Sequence, residues 1–298
     1  MASPQFHKFL ELLQRNRPLT DEVKPDSMRR NLDKVGGKFP EGVTGIADEV
    51  GGVPGEWIMA PGADQGAVLL YFHGGGYVAG SVASHRNLLG HLAQAVGCRI
   101  FAAEYSLAPE CPHPAAVNDA TAAYRSLVDQ GYSPGRMAVA GDSAGGGLAM
   151  ATLLALKDDN DPLPAAAVLI SPLTDCEGTG ESMTTKADVD PMITPGSLKN
   201  IVALFLGPNG DPKDPLASPL LGDLAGLPPV LIQVGESEVL VDDSTRLAAK
   251  ITEAGGEAEL EVWPEMVHVW HGSAGFVPES DQAIARIGEW LKPKLGVN

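Results

Sequence analysis

The sequence predicts an α/β protein built on a mostly parallel, twisted central sheet with helices on both faces. Three observations carry that prediction. From about residue 67 onward, short apolar runs alternate with segments of helical periodicity, the pattern of right-handed βαβ units. Ala67-Val68-Leu69-Leu70-Tyr71-Phe72 is continuously apolar, as expected of a central strand covered on both faces. Residues 138–147 read as a strand end, a sharp turn and a helix start, with small residues around the bend.

The elements follow in order. Phe6, Phe9, Leu10, Leu12 and Leu13 are spaced like one face of a helix over 4–17, which Pro18 stops. Thr20-Asp21-Glu22 reads as the cap of a second helix running through Met28 and Leu32 to Gly36-Gly37. Residues 44–60 alternate like an antiparallel strand pair, with Ile46, Val50, Val53, Trp57 and Met59 as apolar positions and Gly51-Gly52 and Pro54-Gly55 as turns. Then come strand 67–72, helix 84–96, strand 99–105, helix 114–130, strand 136–140, a helix to about 157 and strand 165–171. Regularity breaks at Thr174. Residues 174–218 are rich in Gly, Pro, Asp and Thr, with a helical stretch at 197–206, and read as an insertion over the sheet. Strand 229–235, helix 242–255, strand 259–263 and helix 280–292 complete the pattern.

Composition narrows the partners. The 298 residues are 44% hydrophobic and 20% charged, ordinary for a globular protein. The net charge of −17 repels phosphate backbones, so nucleic acid is not expected as a partner. No stretch approaches the roughly 20 apolar residues of a membrane span, so no membrane partner is expected either. The first ten residues lack a positive segment followed by an apolar run, which argues against a secretory signal. Cys98, Cys111 and Cys176 are odd in number and show no C-x-x-C spacing. They fit a reducing cytoplasm rather than a disulfide framework or a zinc site. Cys98 opens an apolar run and reads as a small buried hydrophobe.

Gly141-Asp142-Ser143-Ala144-Gly145 has the G-x-S-x-G pattern of a nucleophile elbow, which lifts a serine hydroxyl above the end of a sheet. The competing reading is a glycine-rich turn whose serine only caps the helix. A second constellation weighs against that. Strand 67–72 ends in His73-Gly74-Gly75-Gly76-Tyr77, where open α/β sheets bind ligands. Consecutive glycines there let backbone N–H groups approach a developing oxyanion, each donor worth about 2.7–4 kcal/mol.

His73-Gly74-Gly75-Gly76, Gly141-Asp142-Ser143-Ala144-Gly145-Gly146 and Tyr105-Ser106-Leu107-Ala108-Pro109-Glu110 together resemble the hormone-sensitive-lipase (bacterial family IV) esterases of the α/β-hydrolase fold. The resemblance spans nearly the whole chain. It implies a carboxylic ester hydrolase, a serine carboxylesterase that works through a Ser-His-acid triad and an acyl-enzyme, with no metal or cofactor. It also implies a small helical cap. Segments 1–40 and 174–218 match the two cap pieces, leaving 41–173 and 219–298 as the two parts of the catalytic core.

Ser143 is the implied nucleophile and His268, on a loop after a late strand, the implied base. The family acid normally lies in an Asp-Pro-Leu segment. Here the corresponding segment is Val234-Gly235-Glu236-Ser237-Glu238-Val239-Leu240-Val241-Asp242, with Glu238 in the aspartate's place and Val239 in the proline's. Glu238 is assigned as the acid, with Asp242 and Glu236 as alternatives; Asp242 and Asp243 also suit a helix start. Backbone N–H groups of Gly75, Ala144 and either Gly74 or Gly76 are expected to bind the oxyanion. His7, His85, His91 and His113 read as surface or packing residues. His73 shapes the oxyanion loop, and His271 lies past the matched motif.

Tyr77, Val78 and Asp142 are placed at the pocket, with Met192, Ile193, Leu204, Phe205 and Leu206 on its cap side. A small cap implies short- to medium-chain acyl esters, small-molecule substrates. A lactone of the ε-lactone type is the alternative, because Asp190-Pro191-Met192 resembles a segment of such hydrolases. A non-catalytic receptor of the same fold is the rival from another class. Strand 259–263, if it lies at a sheet edge, would pair across a homodimer.

Overall fold

A computed structural model of the chain describes residues 1–15 and 20–297. Arg17 and Pro18, expected to end the first helix, lie outside the described residues. Helices α1 (Pro4–Arg15) and α2 (Pro25–Val35) precede the strands β1 (Thr44–Val50), β2 (Val53–Met59) and β3 (Asp64–Phe72). Then follow α3 (Arg86–Val96), β4 (Cys98–Ala103), α4 (Ala115–Asp129), β5 (Met137–Asp142), α5 (Ala144–Asp158) and β6 (Ala166–Ile170). After β6 come α6 (Ser182–Thr185), α7 (Pro195–Leu206), β7 (Val230–Gly235), α8 (Val241–Glu253), β8 (Ala258–Trp263) and α9 (Pro278–Leu295).

The eight strands form one sheet in the order β1-β2-β4-β3-β5-β6-β7-β8. β2 runs antiparallel to β1 and to β4, and the remaining pairs are parallel. Side chains alternate across β3, as a pleated strand requires. Val68, Leu70 and Phe72 enter a core shared with α4, α5 and α8, whereas Ala67, Leu69 and Tyr71 enter a core shared with α3 and α9. This double coverage explains the uninterrupted apolar run. Cys98 is fully buried, and burial pushes its thiol up to about 12.

Four local expectations need correction. The helix expected from Thr20 begins at Pro25. Asp21 instead serves α7: its Oδ1 accepts from the Thr194 hydroxyl and its carbonyl from Asn200 Nδ2. Tertiary contact has taken the capping carboxylate. Leu12 is exposed, whereas Phe6, Phe9, Leu10 and Leu13 meet the core. Ile46 is exposed as well, since β1 is an edge strand whose residues before Val50 are exposed on both faces.

The two N-terminal helices part company. Phe6 of α1 packs with Met266, Val267, Trp270 and Ala283, beside the loop that follows β8. Met28 and Leu32 of α2 pack with Ile201 and Leu204 of α7 over Val78, Ala79 and Ala108. Arg29 ties α2 down: Nε donates to the Val78 carbonyl at 2.9 Å and Nη2 to that of Ala108 at 2.9 Å. Its guanidinium also grips the Glu110 carboxylate through both Nη atoms. Among the described residues, no helix is long and apolar enough to cross a membrane.

Candidate active site

β5 ends at Asp142 and α5 begins at Ala144, so Ser143 must reverse the chain alone. It does so at φ 54°, ψ −122°, a region that side chains disfavour and active sites tolerate. Crowding explains the small residues. A Cβ on Gly141 would lie 2.2 Å from the Gly145 carbonyl oxygen, and one on Gly145 would lie 2.0 Å from that of Phe72. The Ser143 N–H donates to the Ile170 carbonyl at 2.8 Å, fixing the turn to β6 and leaving the hydroxyl at the carboxyl end of the sheet.

Two further strand ends bring the partners. His268 follows β8 and places Nε2 2.9 Å from Ser143 Oγ. Its Nδ1 lies 2.6 Å from Glu238 Oε2. Glu238 is fully buried on the turn after β7. Its other oxygen, Oε1, accepts from the Gly235 N–H and from Ser171 Oγ, both at 2.7 Å. The extra methylene of glutamate is thereby accommodated: two donors fix one oxygen and leave the other for the imidazole. Burial by itself would lower the His268 pKa, but the Glu238 carboxylate outweighs it and the pKa is raised, with Asp190 and Asp142 adding to the effect. Val269, next in sequence, sits at φ 48°, a strained value for a β-branched residue that aims the loop.

The other carboxylates and histidines lie elsewhere. Glu236 is exposed and accepts from the Glu265 N–H. Asp242 accepts from the Ser182 N–H at 2.8 Å. His271 is buried with Nε2 2.8 Å from Gln233 Oε1, and burial takes its pKa down to about 3. Ser171 escaped the sequence reading. Its one legible sign was its place at the carboxyl end of β6, next to the elbow strand.

The glycine loop is held from below by a buried polar cluster. Asp142 Oδ1 accepts from Tyr71 Oη at 2.7 Å and from the Gly74 N–H at 3.0 Å, while Oδ2 lies 3.2 Å from His85 Nε2. Burial alone would raise the Asp142 pKa; the charge and hydrogen bond of His85 and the Tyr71 hydroxyl reverse this, leaving it at about 2. For His85, burial would lower the pKa, and the Asp142 carboxylate raises it overall. His73 stacks on Tyr105, with centroids 4.4 Å apart, and burial lowers its pKa to about 4. These contacts correct three expectations. Gly74 is committed to Asp142 and is not free for an oxyanion. Asp142 lies 2% exposed beneath the loop rather than in the pocket. His85, read as a surface or packing residue, instead supports the loop through its contact with Asp142. Among the described residues, nothing accepts from the N–H groups of Gly75, Gly76 or Ala144.

The expected pocket residues divide. Met192 is 38% exposed and Ile193 half-buried. Tyr77 and Phe205 are buried and stacked face to face, with centroids 3.8 Å apart and planes 11° apart. They form a packed wall rather than an open lining. Val78 is fully buried under α2 and α7, and Leu204 packs there too. Leu206 is in the core.

Comparison with known proteins agrees with this architecture. Residues 69–272 match the alpha/beta hydrolase fold family. The chain is 44% identical over 299 residues to an acetyl-hydrolase of Streptomyces hygroscopicus, spanning 99% of each chain. It is 34% identical over 270 residues to an esterase of Acinetobacter venetianus, spanning 90% of this chain and 89% of that one. The crystal structure of an esterase from the bacterial hormone-sensitive lipase family superposes with a TM-score of 0.95 at 47% identity, spanning 99% of this chain and 100% of that one. The protein is a serine carboxylesterase, and the chain belongs to the bacterial hormone-sensitive-lipase (family IV) esterases of the α/β-hydrolase fold.

Proposed function

We propose that Ser143, His268 and Glu238 form the catalytic triad for hydrolysis of short- to medium-chain acyl esters. The continuous hydrogen-bonded chain from Ser143 Oγ through His268 to Glu238 carries this reading. His268 Nε2 takes the Ser143 proton as Oγ attacks the ester carbonyl, then gives it to the departing alcohol. Water, deprotonated by the same nitrogen, attacks the acyl-enzyme and releases the acid. Glu238 fixes the imidazole tautomer with Nε2 open and stabilises the cation. The N–H groups of Gly75, Gly76 and Ala144 receive the oxyanion; Ala144 contributes an unpaired helix-start donor.

The stacked Tyr77–Phe205 wall supports short acyl groups, as does the acetyl-hydrolase named above. α2, α7 and segment 174–218 serve as the cap. Three free cysteines support residence in the cytoplasm. The position of β8 at the sheet edge supports pairing across a homodimer, and elution as a strict monomer on gel filtration removes that idea.

The decisive experiment compares wild type with Ser143→Ala on p-nitrophenyl esters from acetate to laurate and on one ε-lactone. Wild-type hydrolysis by Ser143→Ala rejects the triad. Peak activity on long insoluble esters rejects the short-chain reading. A preference for the ring ester makes the lactone the substrate class. Fluorophosphonate labelling of wild type but not of the variant is the expected covalent counterpart.

A further inference from the structure

Asp190, in the segment between α6 and α7, is fully buried, and its hydrogen-bond partners are three backbone N–H groups. Oδ1 accepts from Met192 at 2.8 Å and Ile193 at 2.9 Å. Oδ2 accepts from Val239 at 2.9 Å. The two oxygens thus serve two separate chain segments. One is the turn that carries Glu238; the other is the Met192–Ile193 edge of the cap, exposed at Met192 and half-buried at Ile193. A buried carboxylate without a cation is costly unless its oxygens are all engaged, and these are.

The same turn is held from its other side. Ser182 Oγ donates to the Val239 carbonyl at 2.6 Å, and the Ser182 N–H donates to Asp242 Oδ2 at 2.8 Å. Both peptide groups of Val239, immediately after Glu238, are therefore gripped by the cap segment. Only a carboxylate can do what Asp190 does, because an amide presents one acceptor oxygen where two are used.

We propose, on the Ser143–His268–Glu238 reading above, that Asp190 is a positioning residue that locks the Glu238 turn to the Met192–Ile193 wall, so that the cap holds the acid in line with His268. A substrate that presses on Met192 and Ile193 then acts directly on the acid's alignment. The charged and titratable groups that bear on His268 are Glu238, Asp190, Asp142 and His271. Of these, Asp190 alone belongs to the cap.

The test is Asp190→Asn, assayed as kcat and KM for p-nitrophenyl acetate against pH, with the downfield proton resonance of His268 Nδ1–H followed by NMR. The expected loss is about 10- to 100-fold in kcat, with little change in KM. The acid limb of kcat/KM moves to lower pH, because a negative charge that favours protonated His268 is gone. The Nδ1 resonance shifts. Wild-type kcat and limb overturn the proposal; so does a lost kcat with an unmoved limb and resonance, which is what general loosening gives. If Asp190→Asn does not fold, Ser182→Ala decides: a fall in kcat with a shifted His268 Nδ1–H resonance and the limb in place is expected, because no charge is removed, and wild-type kcat or an unmoved resonance overturns the proposal. Ser143→Ala separates the two levels. Its retained activity removes the triad reading itself, whereas its inactivity beside a wild-type-like Asp190→Asn removes Asp190's role alone.

Discussion

Ser171 Oγ donates to Glu238 Oε1 across 2.7 Å, and the same hydroxyl accepts from the Val269 N–H at 3.2 Å. One buried side chain at the end of β6 therefore touches both the acid and the loop that carries His268. Because Oε1 is occupied, Oε2 is the oxygen presented to the imidazole. Hydrogen bonds to charged groups contribute about 1.5–3 kcal/mol, so Ser171→Ala is expected to lower kcat by about tenfold or more. KM should hardly move, since Ser171 sits behind Glu238 and His268. Steady-state kinetics on p-nitrophenyl acetate checks this; an unchanged kcat removes the role.

Glu238→Gln should be far more damaging. An amide at this position lets His268 adopt the wrong tautomer, a fault worth about 10⁴-fold in kcat in a comparable triad. Glu236→Gln, two residues away on an exposed side chain, should keep wild-type kinetics. Similar losses in both variants would mean that the acid has been misassigned.

Asp142→Asn probes the support under the glycine loop. Removing one partner of a buried pair typically costs about 3–5 kcal/mol. The loss should depend on pH. The depressed Asp142 pKa makes its contribution present above about pH 3.9 and lost as pH falls toward its folded value of about 2. The raised His85 pKa makes its contribution full below about pH 6.5 and lost as pH climbs through the folded value. The stability gap between wild type and variant should therefore be widest between about pH 4 and 6.5. Thermal melts at pH 5.5 and pH 9 measure it; an equal gap at both contradicts the pairing.

Phe205→Ala should trade stability for reach. Emptying the space beside the buried Tyr77 ring costs about 3–5 kcal/mol. The acyl-length optimum on p-nitrophenyl esters should move from acetate toward hexanoate or octanoate. A lower melting temperature with an unchanged optimum would show that the stacked pair packs the core without limiting the pocket.

Much of the fold was legible because it rests on local periodicity. Continuous apolar strands, amphipathic helices and the small residues at 141–147 each record a backbone that must be covered or squeezed where it lies. Ser143 and His268 were legible for the related reason that each is embedded in a short motif. Less was legible where one side chain serves a distant segment. Asp21 looked like a helix cap and caps nothing of its own, because α7 lies within reach only in three dimensions. His85 looked like packing until Asp142, 57 residues on, came to 3.2 Å. Tyr77 and Phe205 both looked like pocket lining, and it is their stacking on each other that buries them.

The sequence by itself determined the order of strands and helices along the chain, the glycine loop after the first central strand, the serine at the elbow, and the histidine after the last strand. Tertiary structure decided which carboxylate faces that histidine, which loop glycines keep free N–H groups, and how the segment between β6 and β7 meets the Glu238 turn. Those choices depend on hydrogen bonds of about 3 Å between segments far apart in the chain. Periodicity and spacing carry no information about which oxygen a remote donor will reach; packing the strands side by side supplies it.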